Sequence, residues 1–212
     1  MSLSHSDKNI KIKEAQLENI RSMADCHLAS FPGRFMTEMG HKWICFLYKY
    51  FINHPEGICY IAIDNTEKVI GLVVGGKPDI RERFLKYAML HYPHIIFWKF
   101  LTKTLVRRTL INELIRKLGL KRKNNLPEMN ENKSTNIKDG NLLSICVLPE
   151  LQGSDVAGEL IKSFQNTCAD MGYEHLTLSV LNENSRAIAF YKKHGWQEME
   201  TSGNSTKFFL KL

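Results

Sequence analysis

Apolar positions recur along this chain with two different periods, and the switches between them mark out its elements. Ile10 and Ile12 alternate with lysines, a period of two that predicts a first strand. Leu17, Ile20, Ala24, His27, Leu28 and Phe31 then follow a helical stripe, which Pro32-Gly33 breaks. Met36, Met39, Trp43, Leu47 and Tyr50 predict a second helix, ending near Asn53-His54-Pro55. Cys59–Asp64 and Val69–Gly75 read as a hairpin across Asn65-Thr66-Glu67-Lys68. Arg81–Leu90 and Ile95–Leu120 read as helices with Pro93 between them, and the polar stretch Lys121–Asn141 as a mobile loop. Leu142, Leu143, Ile145 and Val147 make a strand that Pro149 ends, because proline cannot donate to a sheet ladder. Val156, Leu160, Ile161, Phe164, Cys168 and Met171 return to helical spacing, and Gly172 stops that helix. Leu176, Leu178 and Val180 alternate with Thr177 and Ser179 as a half-buried strand. A short helix over Asn184–His194 closes at Gly195, and Trp196 opens another extended run.

These elements fit one domain over residues 1–212, with a helical insertion at about residues 80–140 between the third and fourth strands. No internal repeat is visible. No apolar run approaches the length needed to cross a bilayer; Ile95–Leu101 is the most apolar, and Lys99 interrupts it. The first residues lack the apolar core of a signal peptide. Five cysteines without paired spacing predict free thiols in a reducing compartment, so a cytoplasmic location is expected.

The junction after Val147 carries the first candidate chemistry. A helix entered through the glycine-containing turn Glu150-Leu151-Gln152-Gly153-Ser154-Asp155 points unpaired N–H groups outward. Those groups and the helix dipole form a site for a phosphate or pyrophosphate. By itself the junction is weak, since strand–loop–helix units are common. The segment that follows sharpens it: a strand, then Asn184-x-x-Ala187-x-x-Phe190-Tyr191-x-x-x-Gly195-Trp196.

In that order, the strand, the Pro-x-x-Gln-Gly turn, the helix and the Asn-x-x-Ala-x-x-Phe-Tyr-x-x-x-Gly-aromatic motif resemble the acyl-CoA-binding half of the GNAT superfamily of N-acetyltransferases. The motifs span residues 142–196, and flanking strand signals extend the likeness over most of the chain. The resemblance implies an α/β (α+β) fold with a mixed, mostly antiparallel central sheet of about seven strands flanked by helices. It also implies acetyl-CoA or another short acyl-CoA as co-substrate and no metal. Main-chain amides of Gln152, Gly153, Ser154, Asp155, Val156 and Ala157 would meet the CoA pyrophosphate. Main-chain groups of Ile145 and Val147 would pair with the pantetheine arm, beside a strand bulge whose N–H faces the thioester carbonyl. Tyr191 matches the tyrosine that protonates the departing thiolate, and Asn184 a CoA-contacting asparagine. Arg34 and Phe35 lie where family members meet the acceptor. The plainer readings are a core tyrosine and an N-cap asparagine.

One position departs from the family turn, which carries glycine where this chain has Asp155. Aspartate tolerates a positive φ, but its charge opposes a pyrophosphate. Either Asp155 caps the helix with its side chain turned away, or the cofactor site is weakened. The first account fits the intact remainder of the site. His91, His94, Tyr92, Glu38 and Ser144 are candidate general bases, and no spacing selects among them. His91-x-x-His94 has a metal-like separation, but the intervening Tyr-Pro and the lack of a third ligand argue against zinc. Cys146 lies in an apolar strand and reads as a buried thiol rather than an acyl-enzyme nucleophile.

Charge is concentrated. Residues 81–123 hold twelve Lys or Arg against two Glu, a net +10 within a chain of net +7. A solvated basic face, a membrane-surface or nucleic-acid contact, and a wall for an anionic acceptor all fit. Such insertions look like those of superfamily members that acylate nucleotide-linked amino sugars of surface polysaccharides, whose diphosphate rewards nearby cations. The expected activity is therefore N-acylation of a small-molecule amine by acyl-CoA, the preferred acceptor being a nucleotide-linked amino sugar. A polyamine, a peptide or a protein N-terminus is the alternative within the same chemistry, and a non-catalytic binding module the alternative outside it. A homodimer is left open.

Overall fold

The computed structural model describes residues 10–117 and 138–212. Seven strands form one sheet: β1 (Lys11–Glu14), β2 (Gly57–Ile63), β3 (Val69–Gly76), β4 (Asp139–Val147), β5 (His175–Leu181), β6 (Gln197–Ser202) and β7 (Ser205–Lys211), in the order β1-β2-β3-β4-β5-β7-β6. Neighbours run antiparallel except β4 and β5, which are parallel. This is the mostly antiparallel mixed sheet of about seven strands that the resemblance implies.

Helices α1 (Ile20–Ser30), α2 (Phe35–Met39) and α3 (His41–Asn53) follow β1, and α7 (Val156–Asp170) and α8 (Ser185–Lys193) follow β4 and β5. β3 is buried along its whole length, so it must be covered on both faces. On one face, Cys146 of β4 reaches Cys26 of α1. On the other, α7 packs down so closely that a Cβ on Gly75 would lie 2.6 Å from the Phe164 ring, and 2.3 Å from the Asn141 carbonyl of the neighbouring β4. Only glycine admits that approach. α7 buries Val156, Leu160, Ile161, Phe164 and Cys168 of the stripe predicted by its spacing; Met171, the last predicted member, lies past the helix end and is exposed. Each large side chain so buried contributes about 1.5–3 kcal/mol.

Four boundaries differ from expectation. The second predicted helix is two, α2 and α3, because Gly40 takes φ +92 between them. The helix expected over Ile95–Leu120 breaks at Lys103, whose extended backbone separates α5 (Pro93–Thr102) from α6 (Thr104–Lys117). α4 (Ile80–His91) precedes them. β4 begins at Asp139, so the end of the expected loop is strand paired to β5. The rest of that loop, and the end of the helix predicted to reach Leu120, lie outside the described residues. Trp196 precedes β6 rather than opening it, and is buried beneath α8 against Tyr191.

Candidate active site

The parallel pair at the centre of the sheet is where the site arises. β4 and β5 are in register only over Asp139–Asn141 and His175–Thr177. The Asn141 amide pins that vertex, donating to the Thr177 carbonyl at 3.0 Å and the Thr177 hydroxyl at 3.1 Å. Beyond it, β4 stays on β3 as far as Val147 while β5 stays on β7 as far as Leu181. The two strands splay, and β4 turns an unpaired edge into the gap.

Which groups face the gap follows from the ladder. The Leu148 N–H bonds the Ile70 carbonyl at 2.9 Å, so alternate residues Cys146 and Ser144 also direct their main chain at β3. Ile145 and Val147 therefore direct theirs away from β3, toward β5. A register shift opposite Val74 and Gly75 leaves Leu143 as the extra residue of a bulge, which sharpens the twist of β4 where the strands part. The Val147 carbonyl is already engaged by the Ser30 hydroxyl at 3.1 Å, a partner on α1 that no local sequence signal marks.

At the far end of β4, a 3₁₀ turn over Pro149–Leu151 leads into the loop before α7. Gly153 takes φ +96, a left-handed turn position, whereas Asp155, which stands where the family turn carries glycine, sits at φ −79 and needs no tolerance of positive φ. The amides are not equivalent. The Gln152 N–H bonds the Pro149 carbonyl and the Ser154 N–H the Leu151 carbonyl, so these two expected donors are engaged within the turn. The first helical bond is from the Glu159 N–H to the Asp155 carbonyl. Gly153, Asp155, Val156, Ala157 and Gly158 are left with N–H groups that meet no main-chain acceptor among the described residues. Gly158 was missed by sequence reasoning, although counting from the cap would have found it.

Asp155 stands at the N-cap position, yet its side chain makes no capping hydrogen bond. Its carboxylate instead folds over the first turn, with Oδ1 2.7 Å from where a Cβ on Gly158 would sit. His194 Nε2 approaches the same point to 3.2 Å, and its Nδ1 donates to the Phe190 carbonyl at 2.8 Å. The expected cap is thus not made, and the charge lies along the helix flank.

α8 supplies the opposite wall. Asn184 caps it, its side-chain oxygen accepting from the Ala187 N–H at 3.1 Å. Arg186 donates to the Gln152 side chain, tying α8 to the turn before α7. Tyr191 is buried between Trp196 and Phe208, with ring centroids at 5.9 and 6.0 Å. Burial pushes its phenol well above the ordinary range, so it stays protonated at any working pH. Arg34, at the start of α2, pairs with Glu183 before α8 at 3.1 Å and joins the first loop to the second wall. Phe35 begins α2, half-buried beside it.

The candidate bases scatter. His91 Nδ1 bonds the Tyr87 carbonyl at 2.8 Å, and His94 is exposed on α5. Tyr92 packs edge-on against Phe46 at 4.4 Å. Glu38 pairs with Lys103 at 3.0 Å. Ser144 lies on β4 beside the bulge. No group of three metal-ligating side chains occurs among the described residues. Contact with the Cys26 thiol and burial hold Cys146 well above the usual thiol range, which disfavours a thiolate nucleophile there. The insertion reaches α2: Lys103 meets Glu38, and Lys99 Nζ lies 3.3 Å from where a Cβ on Gly40 would sit. Arg83, by contrast, is engaged with Glu56, with Asp79 at 3.0 Å and with His54 at 3.3 Å. A separate depression of about 750 Å³ shares Ser154–Val156 with the turn but opens toward β1 and the β2–β3 hairpin. Its lining carries four carboxylates, Asp64, Glu67, Asp155 and Glu159, against the one cation Lys11, a poor balance for a phosphorylated ligand.

Residues 20–196 match the model of the acetyltransferase (GNAT) family. The uncharacterized N-acetyltransferase YjcF of Bacillus subtilis is 36% identical over 58 residues; that match spans 27% of this chain and 39% of the relative's length. The PaiA N-acetyltransferase of Thermoplasma acidophilum, solved with coenzyme A, superposes with a TM-score of 0.60 at 13% identity, covering 96% of this chain and 99% of that one. The ribosomal-protein-S18-alanine N-acetyltransferase of Escherichia coli superposes at 0.55 with 11% identity, covering 95% and 93%. At these identities the solved structures speak for the fold alone. No described helix is long and apolar enough to cross a membrane.

Proposed function

The chain belongs to the acetyltransferase (GNAT) family, and on that premise we propose that it moves an acetyl or short acyl group from acyl-CoA to a primary amine by direct attack. The observation that carries this reading is the parting of β4 from β5 immediately above the free amides before α7. A pantetheine arm lying in the gap takes the main-chain groups of Ile145 and the N–H of Val147, whose carbonyl Ser30 already holds, as a missing strand would. The pyrophosphate takes the amides of Gly153 and of Asp155 to Gly158. An N–H of β4 near the Leu143 bulge faces the thioester carbonyl as negative charge develops there; losing such a donor typically costs about 3–4 kcal/mol of transition-state stabilisation. As the carbon–sulfur bond breaks, Tyr191 gives its proton to the departing thiolate; the nitrogen of the new amide sheds its extra proton to solvent, and the tyrosinate takes one back.

The acceptor enters over α2, beside Arg34 and Phe35. We favour a nucleotide-linked amino sugar. Lys99 of α5 and Lys103 at its end reach over to Gly40 and Glu38 of the α2 segment and supply positive charge toward a diphosphate, although Lys103 shares its charge with Glu38. A sugar amine also ionises below an alkylamine, because its neighbouring oxygens withdraw charge, so a strong base is not required. The test is release of CoA thiol from acetyl-CoA with a panel of nucleotide-linked amino sugars, polyamines and peptides. Turnover with the first class alone is expected. Turnover with peptides or polyamines instead overturns the acceptor, and an absence of calorimetric acetyl-CoA binding overturns the enzymatic reading itself.

A further inference from the structure

Ten of the fourteen large apolar side chains that stand exposed among the described residues belong to the insertion, residues 80–117. Elsewhere they occur singly, which is ordinary for a folded surface. On α5 they make a face. Phe97, Trp98 and Leu101 share one side at helical spacing and are 63%, 65% and 53% exposed, while Ile95 and Ile96 on the other side pack toward the core. No residue of α5 is buried. Leu90, near the end of the adjoining α4, is 77% exposed and extends the surface. α6 packs against α5 and presents Arg107 and Arg108 to solvent. A patch this apolar, rimmed by cations, marks a surface that something covers.

We propose that this face of α5, flanked by α4 and α6, seats on the surface of an anionic phospholipid bilayer. The combination of Trp, Phe and Leu on one side of a short helix with Lys and Arg around it is that of an interfacial helix. At ten residues α5 is too short to cross the hydrocarbon, so it lies in the headgroup region. Charge selects the occupant: residues 81–117 carry nine Lys or Arg against Glu82 and Glu113, a net +7 that attracts an anionic surface and opposes a second copy of the same face. Composition selects further, because nucleic acid stacks on aromatic rings but offers no apolar bed for Leu90 and Leu101. The inference does not depend on the acceptor.

Trp98 supplies the assay. Trp43 and Trp196 are each 2% exposed, so a change in emission on adding vesicles reports Trp98. With vesicles of phosphatidylcholine containing phosphatidylglycerol, the emission is expected to shift to the blue and to be quenched by brominated lipid. Co-sedimentation should be at least tenfold tighter than on phosphatidylcholine alone and should weaken with salt. The variant Phe97→Ser/Trp98→Ser/Leu101→Ser should lose at least tenfold of that binding while keeping its circular dichroism and its thiol release in solution. The proposal is overturned by an unshifted wild-type emission, or by vesicle binding that the variant retains. Concentration-dependent dimerisation or nucleic-acid binding without vesicle binding overturns it equally.

Discussion

Replacing Tyr191 by Phe separates the tyrosine's chemistry from its packing. The ring stays where it is, against Trp196 and Phe208. The hydroxyl takes part in no side-chain hydrogen bond among the described residues, so removing it leaves no partner stranded and should change stability by less than about 1 kcal/mol. Catalysis should respond differently. A general acid contributes about 10²–10⁴-fold, so kcat is expected to fall by at least about a hundredfold, equal to about 2.7 kcal/mol of barrier. KM for acetyl-CoA should move little, because the lost interaction is made only as the carbon–sulfur bond breaks. Because burial raises the phenol's pKa, the wild type should also keep its rate as pH rises through 9, where an exposed tyrosine would begin to lose its proton. The measurement is thiol release followed with a disulfide dye, at saturating acyl-CoA and amine, from pH 6 to 9.5, alongside urea denaturation of both proteins. A variant with unchanged kcat and an unchanged pH profile would remove Tyr191 as the acid. A variant that loses stability in step with activity would make it a core residue only.

Two further perturbations probe the turn and the core. Asp155→Asn keeps the shape at the start of α7 and removes the charge beside the amides; CoA should bind about three- to tenfold tighter by calorimetry, with at most about 1 kcal/mol lost from helix stability. A large loss of affinity would instead give the carboxylate a positive role. His27 is buried with its Nδ1 2.6 Å from the Tyr48 hydroxyl, and burial lowers its pKa from 6.5 to about 4. Its folded pKa lies below its unfolded one, so the unfolded chain takes up the proton first. The stability involved is complete above pH 6.5 and is lost as pH falls toward 4, amounting to about 2.5 kcal/mol by pH 4.5. Urea midpoints at pH 7 and 4.5 should show that loss in the wild type and most of it absent in His27→Asn; an equal loss in both would refute the assignment.

Local periodicity determined a good part of this molecule. The stripe of α7, the alternation of β5, and the motif from Asn184 to Trp196 were readable because each element must bury one face, and that requirement is written at intervals of two or of three to four residues. The breaks at Gly40 and Lys103 were harder, since the apolar spacing of α2 into α3 and of α5 into α6 continues across them while the backbone turns. The amide count before α7 was legible only in part. Pattern placed the turn at Gln152 and Gly153, but whether the Ser154 N–H points outward or back to Leu151 depends on how the 3₁₀ turn closes. Residues brought together from distant positions carried no signal at all. Ser30 on the Val147 carbonyl, Arg186 on Gln152, Arg34 on Glu183 and Cys26 against Cys146 join segments separated by up to 149 residues. The parting of β4 from β5 is of the same kind. It arises because each strand is held by its other neighbour, β3 or β7, along a diverging course. The chain's own pattern thus determined which segments are strands and helices, whereas the open cleft was decided only by how those segments pair across the sheet.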